Sequence, residues 1–139
     1  MKVWLFFIGR PKDAHANAMA ADFLQRASRY ADVNAREIRP ERLDLWRDYP
    51  SARKIFCDPA GKLLDSPAFT KLIAKAEMES RDLLFLIGGH DGLPPGWSSR
   101  ADFLLSLSPL TFPHELARAV LAEQIYRAFA TLRGHPYPR

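Results

Sequence analysis

The sequence predicts an α/β fold in which a mainly parallel sheet carries helices on both faces. Short apolar segments alternate with helical segments along the chain, which is typical of parallel sheets with helical crossovers. Residues 82–87 are apolar at every position after Asp82, as in a strand buried on both faces. The 139 residues match the usual size of one domain. We therefore expect a single domain over residues 1–139.

The first part of the chain contains a predicted strand, helix and strand. Residues 2–8 form a short run rich in β-branched and aromatic residues that ends at Gly9 and Pro11, and they are predicted as a buried strand. Residues 14–30 are rich in alanine and predict a helix, and residues 33–38 predict a second strand. The apolar face of this helix is predicted to comprise Met19, Phe23, Leu24 and Ala27.

The middle of the chain continues the alternation after an ambiguous arginine-rich segment, residues 40–50. Residues 53–58 are predicted as a third strand, which Asp58, Pro59 and Gly61 end. The next helix is predicted to begin at Ser66 as N-cap with Pro67 at the first helical position. Its inward residues are predicted to be Leu72, Ile73 and Ala76.

The last part of the chain contains two predicted strands, residues 82–87 and 102–107, and a long helix. The helix covers residues 114–133, because apolar residues recur there at helical spacing and Gly134 stands at the position of a C′ glycine. Glu123 and Arg127 are four residues apart and are predicted to form an ion pair on this helix.

Composition excludes several classes of protein. With 47% hydrophobic and 26% charged residues the chain has the make-up of an ordinary globular protein and not of a disordered one. Its apolar runs are much shorter than the roughly 20 residues of a membrane span, so no membrane partner and a cytoplasmic location are expected. Cys57 is the only cysteine, so neither an internal disulfide nor a zinc site is predicted.

Positive charge is concentrated at the two ends of the chain. The net charge is +4, and residues 1–55 hold 11 basic against 7 acidic residues. Arginine supplies 14 of the 20 basic residues, and its planar guanidinium pairs with phosphate, although a GC-rich genome produces the same bias without function. The charge pattern weakly favours a polyanionic partner.

Two loops after predicted strands are candidate ligand sites. Gly88, Gly89 and Gly92 follow the strand at residues 82–87, where glycines allow a backbone to approach a nucleoside, but a plain tight turn fits equally. Residues 107–113 hold two prolines, and their backbone groups are suited either to bind an adenine edge or to form a rigid connector. His114 is predicted to cap the last helix or to fill the turn, because no metal-ligand spacing surrounds it.

The C-terminal half resembles the bacterial large-subunit (23S) rRNA pseudouridine N3-methyltransferases of the SPOUT class. The resemblance is carried by FLIGGHDGL at residues 85–93 and by LSLSPLTFPH at residues 105–114. It continues through Arg118 and the EQIYRA of residues 123–128, and then through GHPY at residues 134–137. Several ordered motifs over residues 82–139 make chance similarity improbable.

This resemblance implies a trefoil knot within roughly residues 82–139 and S-adenosylmethionine as the methyl donor, without a metal. It also implies a homodimer in which the tail of one subunit reaches the donor of the other. The implied partner is the ribosome, and neither a membrane nor a DNA partner is expected. The implied donor-binding residues are Cys57, Gly88, Leu107, Ser108, Pro109, Leu110, Thr111 and Phe112.

The implied catalytic residues are Arg127, His135, Tyr137 and Arg139, with His135 as candidate general base and the arginines as ligands of phosphate or of a developing oxyanion. The chain departs from the family at Pro138, where the tail usually has histidine, and between Val33 and Arg53, where a helix is lacking. These departures leave two alternatives open: a donor-binding or RNA-binding protein without turnover, and a methyltransferase for another RNA.

Overall fold

A computed structural model describes residues 1–137 and contains one five-stranded sheet. The strands are β1 (Lys2–Ile8), β2 (Asp32–Ile38), β3 (Arg53–Leu63), β4 (Leu83–Ile87) and β5 (Phe103–Ser106). The helices are α1 (Ala14–Ala27), α2 (Leu45–Asp48), α3 (Ser66–Met78) and α4 (His114–Leu132), with single 3₁₀ turns at Pro40–Arg42 and Ser98–Arg100. The strand order is β2-β1-β4-β3-β5 and every pairing is parallel, so the predicted α/β class is confirmed.

The sheet separates two hydrophobic cores, one covered by long helices and the other mainly by loops. Strand β4 is buried along its whole length, and its odd and even residues enter different cores. The three long helices α1, α3 and α4 all pack on the side of Leu83 and Phe85. The other side, which contains Leu84 and Leu86, is covered by the four-residue α2 and by loops. Helices on both faces were predicted, and only α2 meets that prediction on the second face, because the short connection from β2 to β3 holds no longer helix.

Aromatic side chains complete the thin cover of the second face. Tyr49 packs edge-on against Trp4 with 4.9 Å between ring centroids, and Trp46 and Trp97 pack edge-on at 5.3 Å. Trp46 also contacts Phe56 of β3. These large rings fill the volume that a helix would otherwise occupy over the sheet.

The first turn of α4 holds the beginning of α1. The Glu115 carboxylate accepts hydrogen bonds from the backbone N–H groups of Lys12 and Asp13, the latter at 2.8 Å. These donors precede α1, where N–H groups lack helical partners. Arg118 is only 1% exposed, and its guanidinium lies 3.9 Å from the centroid of the Phe7 ring. The two side chains thus join α4 to the β1–α1 connection.

Several details differ from the sequence-based expectation. Helix α3 is capped by Asp65, whose carboxylate accepts from the Ala68 N–H, while the Ser66 hydroxyl donates to Gln124 instead. Met19 was assigned to the inner face of α1 but is 52% exposed. The buried residues of α1 are Ala16, Ala20, Leu24 and Ala27, so close packing on α4 uses alanine and not methionine.

Strand β3 extends beyond its predicted end. An irregularity between Cys57 and Lys62 interrupts its pairing with β5, which then resumes at Lys62 opposite Leu105. A Cβ atom on Gly61 would lie 2.7 Å from the Leu104 carbonyl carbon, so only glycine fits where β3 passes β5. The turn residues were therefore correctly identified as a break, but the strand continues past them.

Candidate functional site

A cavity of about 500 Å³ opens at the carboxyl edge of the sheet. Its wall comes from the end of β3, the glycine-rich loop after β4 and the proline-rich loop after β5. Carboxyl ends of parallel strands meet at one edge, which is where open α/β sheets bind ligands. The volume lies in the range of small-molecule sites, about 300–1,000 Å³. The wall includes every residue predicted to contact a methyl donor: Cys57, Gly88, Leu107, Ser108, Pro109, Leu110, Thr111 and Phe112.

The glycine-rich loop is closed by contacts within its own backbone. The Gly92 N–H donates to the Gly89 carbonyl oxygen at 3.0 Å. A Cβ atom on Gly88 would lie 2.5 Å from the Gly92 carbonyl carbon, and one on Gly89 would lie 2.8 Å from the Ile8 carbonyl oxygen. The sequence suggested that Gly88 leaves room for a nucleoside. Its nearest neighbour is instead the loop itself, so the glycine is needed to shape the cavity wall.

The proline-rich loop after β5 presents backbone donors. The Ser108 hydroxyl oxygen accepts from the Leu110 N–H at 2.9 Å, and the Ser108 carbonyl accepts from the Ser106 hydroxyl at 3.2 Å. The N–H groups of Thr111 and Phe112 have no hydrogen-bond partner within residues 1–137. Such free donors in a cavity wall suit a ligand with acceptor atoms along one edge, as an adenine ring has.

Near β3 the cavity wall combines the Cys57 thiol and the Asp58 carboxylate with the apolar Pro59 and Leu63. Burial raises the pKa of the Cys57 thiol to about 12, and the nearby Asp58 carboxylate adds to this shift. Cys57 is therefore a neutral thiol at physiological pH and not a nucleophile. Ala117 and His114 reach the same cavity from the first turn of α4. Pro113 occupies the N-cap position of that helix without a side-chain cap, so His114 does not cap it.

The described catalytic candidates form a separate cluster around Glu123. The Arg127 guanidinium lies 2.8 Å from the Glu123 carboxylate, which confirms the predicted i,i+4 pair. The Tyr137 hydroxyl donates to the same carboxylate at 2.6 Å. The His135 Nδ1 atom accepts from the Tyr137 N–H at 3.1 Å. Glu123 thus organises a cluster to which sequence reasoning had not assigned it, although the EQIYRA motif contains it.

The Glu123 carboxylate favours the protonated forms of Tyr137 and Arg127, which donate hydrogen bonds to it. Desolvation, followed by the Glu123 carboxylate, raises the pKa of the Tyr137 phenol, so the phenol stays protonated and donates. The hydrogen bond that the Arg127 guanidinium donates to the Glu123 carboxylate raises the pKa of that guanidinium. Arg139 was predicted to belong to this group, and it lies with Pro138 outside the described residues.

The cavity and the Glu123 cluster lie at different ends of α4. Ala117 lines the cavity, while Arg127 lies ten residues further along the helix, at a distance of about 15 Å along the axis. Neither Arg127 nor His135 nor Tyr137 lines the cavity. Within residues 1–137, a single chain therefore does not bring the two sets of candidates together.

Residues 1–137 contain neither a candidate metal centre nor a membrane-spanning helix. No three His, Cys, Asp or Glu side chains are grouped as metal ligands there. None of the helices in that range has the length and apolar character needed to cross a membrane.

The chain is similar over its full length to proteins that share one name. A protein of Solibacter usitatus called "Ribosomal RNA large subunit methyltransferase H" is 70% identical over the full length of both chains. One of the same name from Sorangium cellulosum is 42% identical, with 99% of each chain covered. Among solved structures, the "AdoMet bound rRNA methyltransferase from Sinorhizobium meliloti" matches with a TM-score of 0.56 at 11% identity, covering 91% of this chain and 56% of the other. That likeness shows the fold.

The family is given by a match over nearly the whole chain. Residues 1–138 match the family described as "Predicted SPOUT methyltransferase". The full-length relatives and the parallel α/β sheet agree with this match. The chain belongs to the SPOUT methyltransferase family.

Proposed function

We propose that the protein transfers a methyl group from S-adenosylmethionine to N3 of a pseudouridine in large-subunit rRNA. The observation that carries the proposal is that the wall of one cavity contains all eight residues expected to contact the donor. The printed name of the Solibacter relative supports the rRNA substrate. The printed title of the Sinorhizobium meliloti structure supports the donor. A ribosomal substrate would place the enzyme in the cytoplasm.

The cavity wall fits this donor. Thr111 and Phe112 have free backbone N–H groups suited to the acceptor edge of adenine, and the wall near β3 combines the neutral Cys57 thiol with the Asp58 carboxylate. When bound, S-adenosylmethionine supplies an electrophilic methyl carbon whose bond to sulfur breaks as a nucleophile's bond forms. The protein's task is to align donor and acceptor, which contributes up to roughly 7–11 kcal/mol in favourable intramolecular reactions.

The imide proton must also leave N3. The hydrogen bonding of His135 determines whether this residue can accept that proton. Neutral imidazole has one acceptor nitrogen, and in His135 that atom, Nδ1, already accepts from the Tyr137 N–H. In this arrangement Nε2 carries the proton and cannot accept another. His135 therefore orders the tail here, and it acts as a base only if the bond to Tyr137 opens.

A homodimer would join the two separated sets of residues. The cavity of one subunit would receive the Glu123 cluster and tail of the other, with Arg127 and Tyr137 near the nucleotide. Leu116 on α4 and Met19 on α1 are 40% and 52% exposed, which supports a partner on the helical side. The implied trefoil knot remains part of this proposal, as does the assignment of residues 1–139 to one domain.

Methylation of unmodified ribosomes is the direct test. Purified protein and S-adenosylmethionine are added to ribosomes from a strain that lacks the gene, and the nucleosides are analysed by mass spectrometry. We expect one pseudouridine to gain a methyl group. A chain truncated after Pro136 should bind the donor but transfer nothing, because Tyr137 is lost.

Each result of this experiment decides between the stated alternatives. Methylation of a different nucleoside would refute the substrate. Donor binding without transfer by the full chain would favour a protein that has lost turnover, as the family histidine replaced by Pro138 suggests. Full activity in the truncated chain would refute the role of the tail.

A further inference from the structure

We propose that the sheet face opposite the three long helices is a second contact surface for rRNA, where arginines that do not line the cavity bind the phosphate backbone. This inference rests on the proposed function and adds a docking surface to it. We call this surface the arginine face and define it by Arg36, Arg39, Arg42 and Arg100, all of them exposed.

Two of these arginines are positioned by aromatic rings of the thinly covered core. The guanidinium carbon of Arg100 lies 3.7 Å from the centroid of a Trp46 ring. That of Arg36 lies 5.4 Å from the centroid of the Phe6 ring. Stacking on a ring restrains a guanidinium while its N–H donors stay free at the edge. Both groups are thus orientated before any ligand arrives.

The other two arginines lie on the connection from β2 to α2. Arg39 follows β2 directly, and Arg42 ends the 3₁₀ turn Pro40–Arg42. This connection runs over the same face, because Leu43 packs against its core and Leu45 is fully buried there. All four arginines therefore belong to one side of the sheet.

Three carboxylates on this side are already engaged, whereas Glu41, in the same 3₁₀ turn as Arg42, forms no ion pair or side-chain hydrogen bond within residues 1–137. Asp44 accepts from the N–H groups at the start of α2, Asp48 pairs with Arg47 at 3.1 Å, and Asp102 accepts from the Lys54 N–H. Within residues 1–137, none of the four guanidinium groups forms an ion pair or a hydrogen bond. These four unused guanidinium groups outweigh the unengaged Glu41 carboxylate, so this side attracts anions.

The dimensions of the arginine face favour a polymer over a small anion. Arg36 lies on β2, while Trp46 under Arg100 packs against Phe56 of β3. Three strand intervals separate β2 from β3, which corresponds to about 14 Å. Charges spread over that distance contact several phosphates along a nucleic-acid backbone, since neighbouring phosphates of one strand are about 3.4 Å apart along the helix axis.

The test compares salt dependence for matched double variants. Arg36→Gln with Arg100→Gln removes two charges from the arginine face, and Lys71→Gln with Lys75→Gln removes two exposed charges from α3 on the other side. Affinity for ribosomes and for protein-free large-subunit rRNA is measured from 50 to 200 mM salt. Each lost phosphate contact lowers the log-log slope by about 0.9 on duplex or 0.7 on single strands.

Raising the salt from 50 to 200 mM lowers the affinity of each protein by some factor. We expect this factor to be about 7- to 12-fold smaller for the arginine variant than for the wild type, which corresponds to two lost phosphate contacts. Its KM for ribosomes should rise at unchanged kcat, and the lysine variant should match the wild type. Arg39→Gln with Arg42→Gln should reproduce the effect without touching a ring, so a folding defect is separated from lost docking.

Equal slopes in the arginine and lysine variants would overturn the proposal. A loss confined to ribosomes and absent on protein-free rRNA would assign the surface to a ribosomal protein, which also overturns it. Failure of the proposed function is distinct, because it would appear as no methyl transfer by the wild type.

Discussion

Adding one methyl group to Gly88 should weaken donor binding. The Cβ atom of Gly88→Ala would lie 2.5 Å from the Gly92 carbonyl carbon, where ordinary contact begins at 3.4 Å. One side of the glycine-rich loop must therefore move by about 0.9 Å, and backbone cannot rotate away as a side chain does. Overpacking of this kind costs about 1–3 kcal/mol. If the strain must be overcome when the donor binds, Kd rises about 5- to 150-fold.

Gly96→Ala is the matched control for this change. Gly96 has a positive φ of +82°, a Cβ atom added there would meet no atom within 4 Å, and Gly96 lies outside the cavity wall. It therefore introduces backbone strain of about 1–2 kcal/mol without blocking the loop. Isothermal titration calorimetry with S-adenosylmethionine, together with thermal unfolding, separates lost binding from lost stability. A Kd within twofold of the wild type for Gly88→Ala would refute the packing argument.

Three further predictions concern other parts of the molecule. The pKa of the Glu115 carboxyl is lowered below its ordinary 4.5, mainly by the hydrogen bond from the Lys12 N–H. The ionised carboxylate therefore stabilises the fold fully above pH 4.5, and this stabilisation is lost as the pH falls through the lowered pKa. Glu115→Gln should reduce Tm at pH 7, and the difference in Tm from the wild type should shrink below pH 4.5. The Cys57 thiol, with a pKa of about 12, should resist iodoacetamide at pH 8 in the folded protein and react after unfolding, and rapid alkylation of the native state would contradict this. Tyr137→Phe should lower the methylation rate while the affinity for the donor stays the same. A double-mutant cycle with Glu123→Gln should show a coupling of about 0.5–3 kcal/mol in the free energy of unfolding. Additive effects would mean that the 2.6 Å hydrogen bond from Tyr137 to Glu123 is not formed in solution.

The sequence was most informative where burial determines residue choice. Strands β1 and β4 matched their predicted ranges within one residue, because apolar runs closed by glycine leave little alternative. The end of α4 was also predicted correctly, since Gly134 takes a φ of +70° after the helix. Periodicity was a weaker guide on α1, where small alanines and not Met19 face the core. Periodicity also carries no information about strand order, so the placement of three helices on one face could not be inferred.

The candidate site was predictable in part for a similar reason. Its loops are continuous motifs, and the structure brings all eight predicted donor residues to one cavity, although their role in binding stays a prediction. The role of Gly88 in loop closure depends on Gly92, a contact that appears only when the loop is folded. The bond from Tyr137 to Glu123 depends on how the tail turns back, which no spacing in the sequence specifies.

The contact between Glu115 and the beginning of α1 has a consequence for biosynthesis. The Asp13 N–H and its acceptor on Glu115 are separated by 102 residues in sequence. Translation at roughly 5–20 residues per second delivers the acceptor about 5–20 s after its donor. The hydrogen bonds between Glu115 and the residues that precede α1 therefore form only after nearly the whole chain has been synthesised. Non-local contacts of this kind slow folding. We expect nascent chains that stop before α4 to leave the α1 terminus accessible to protease, and release of the complete chain to protect it.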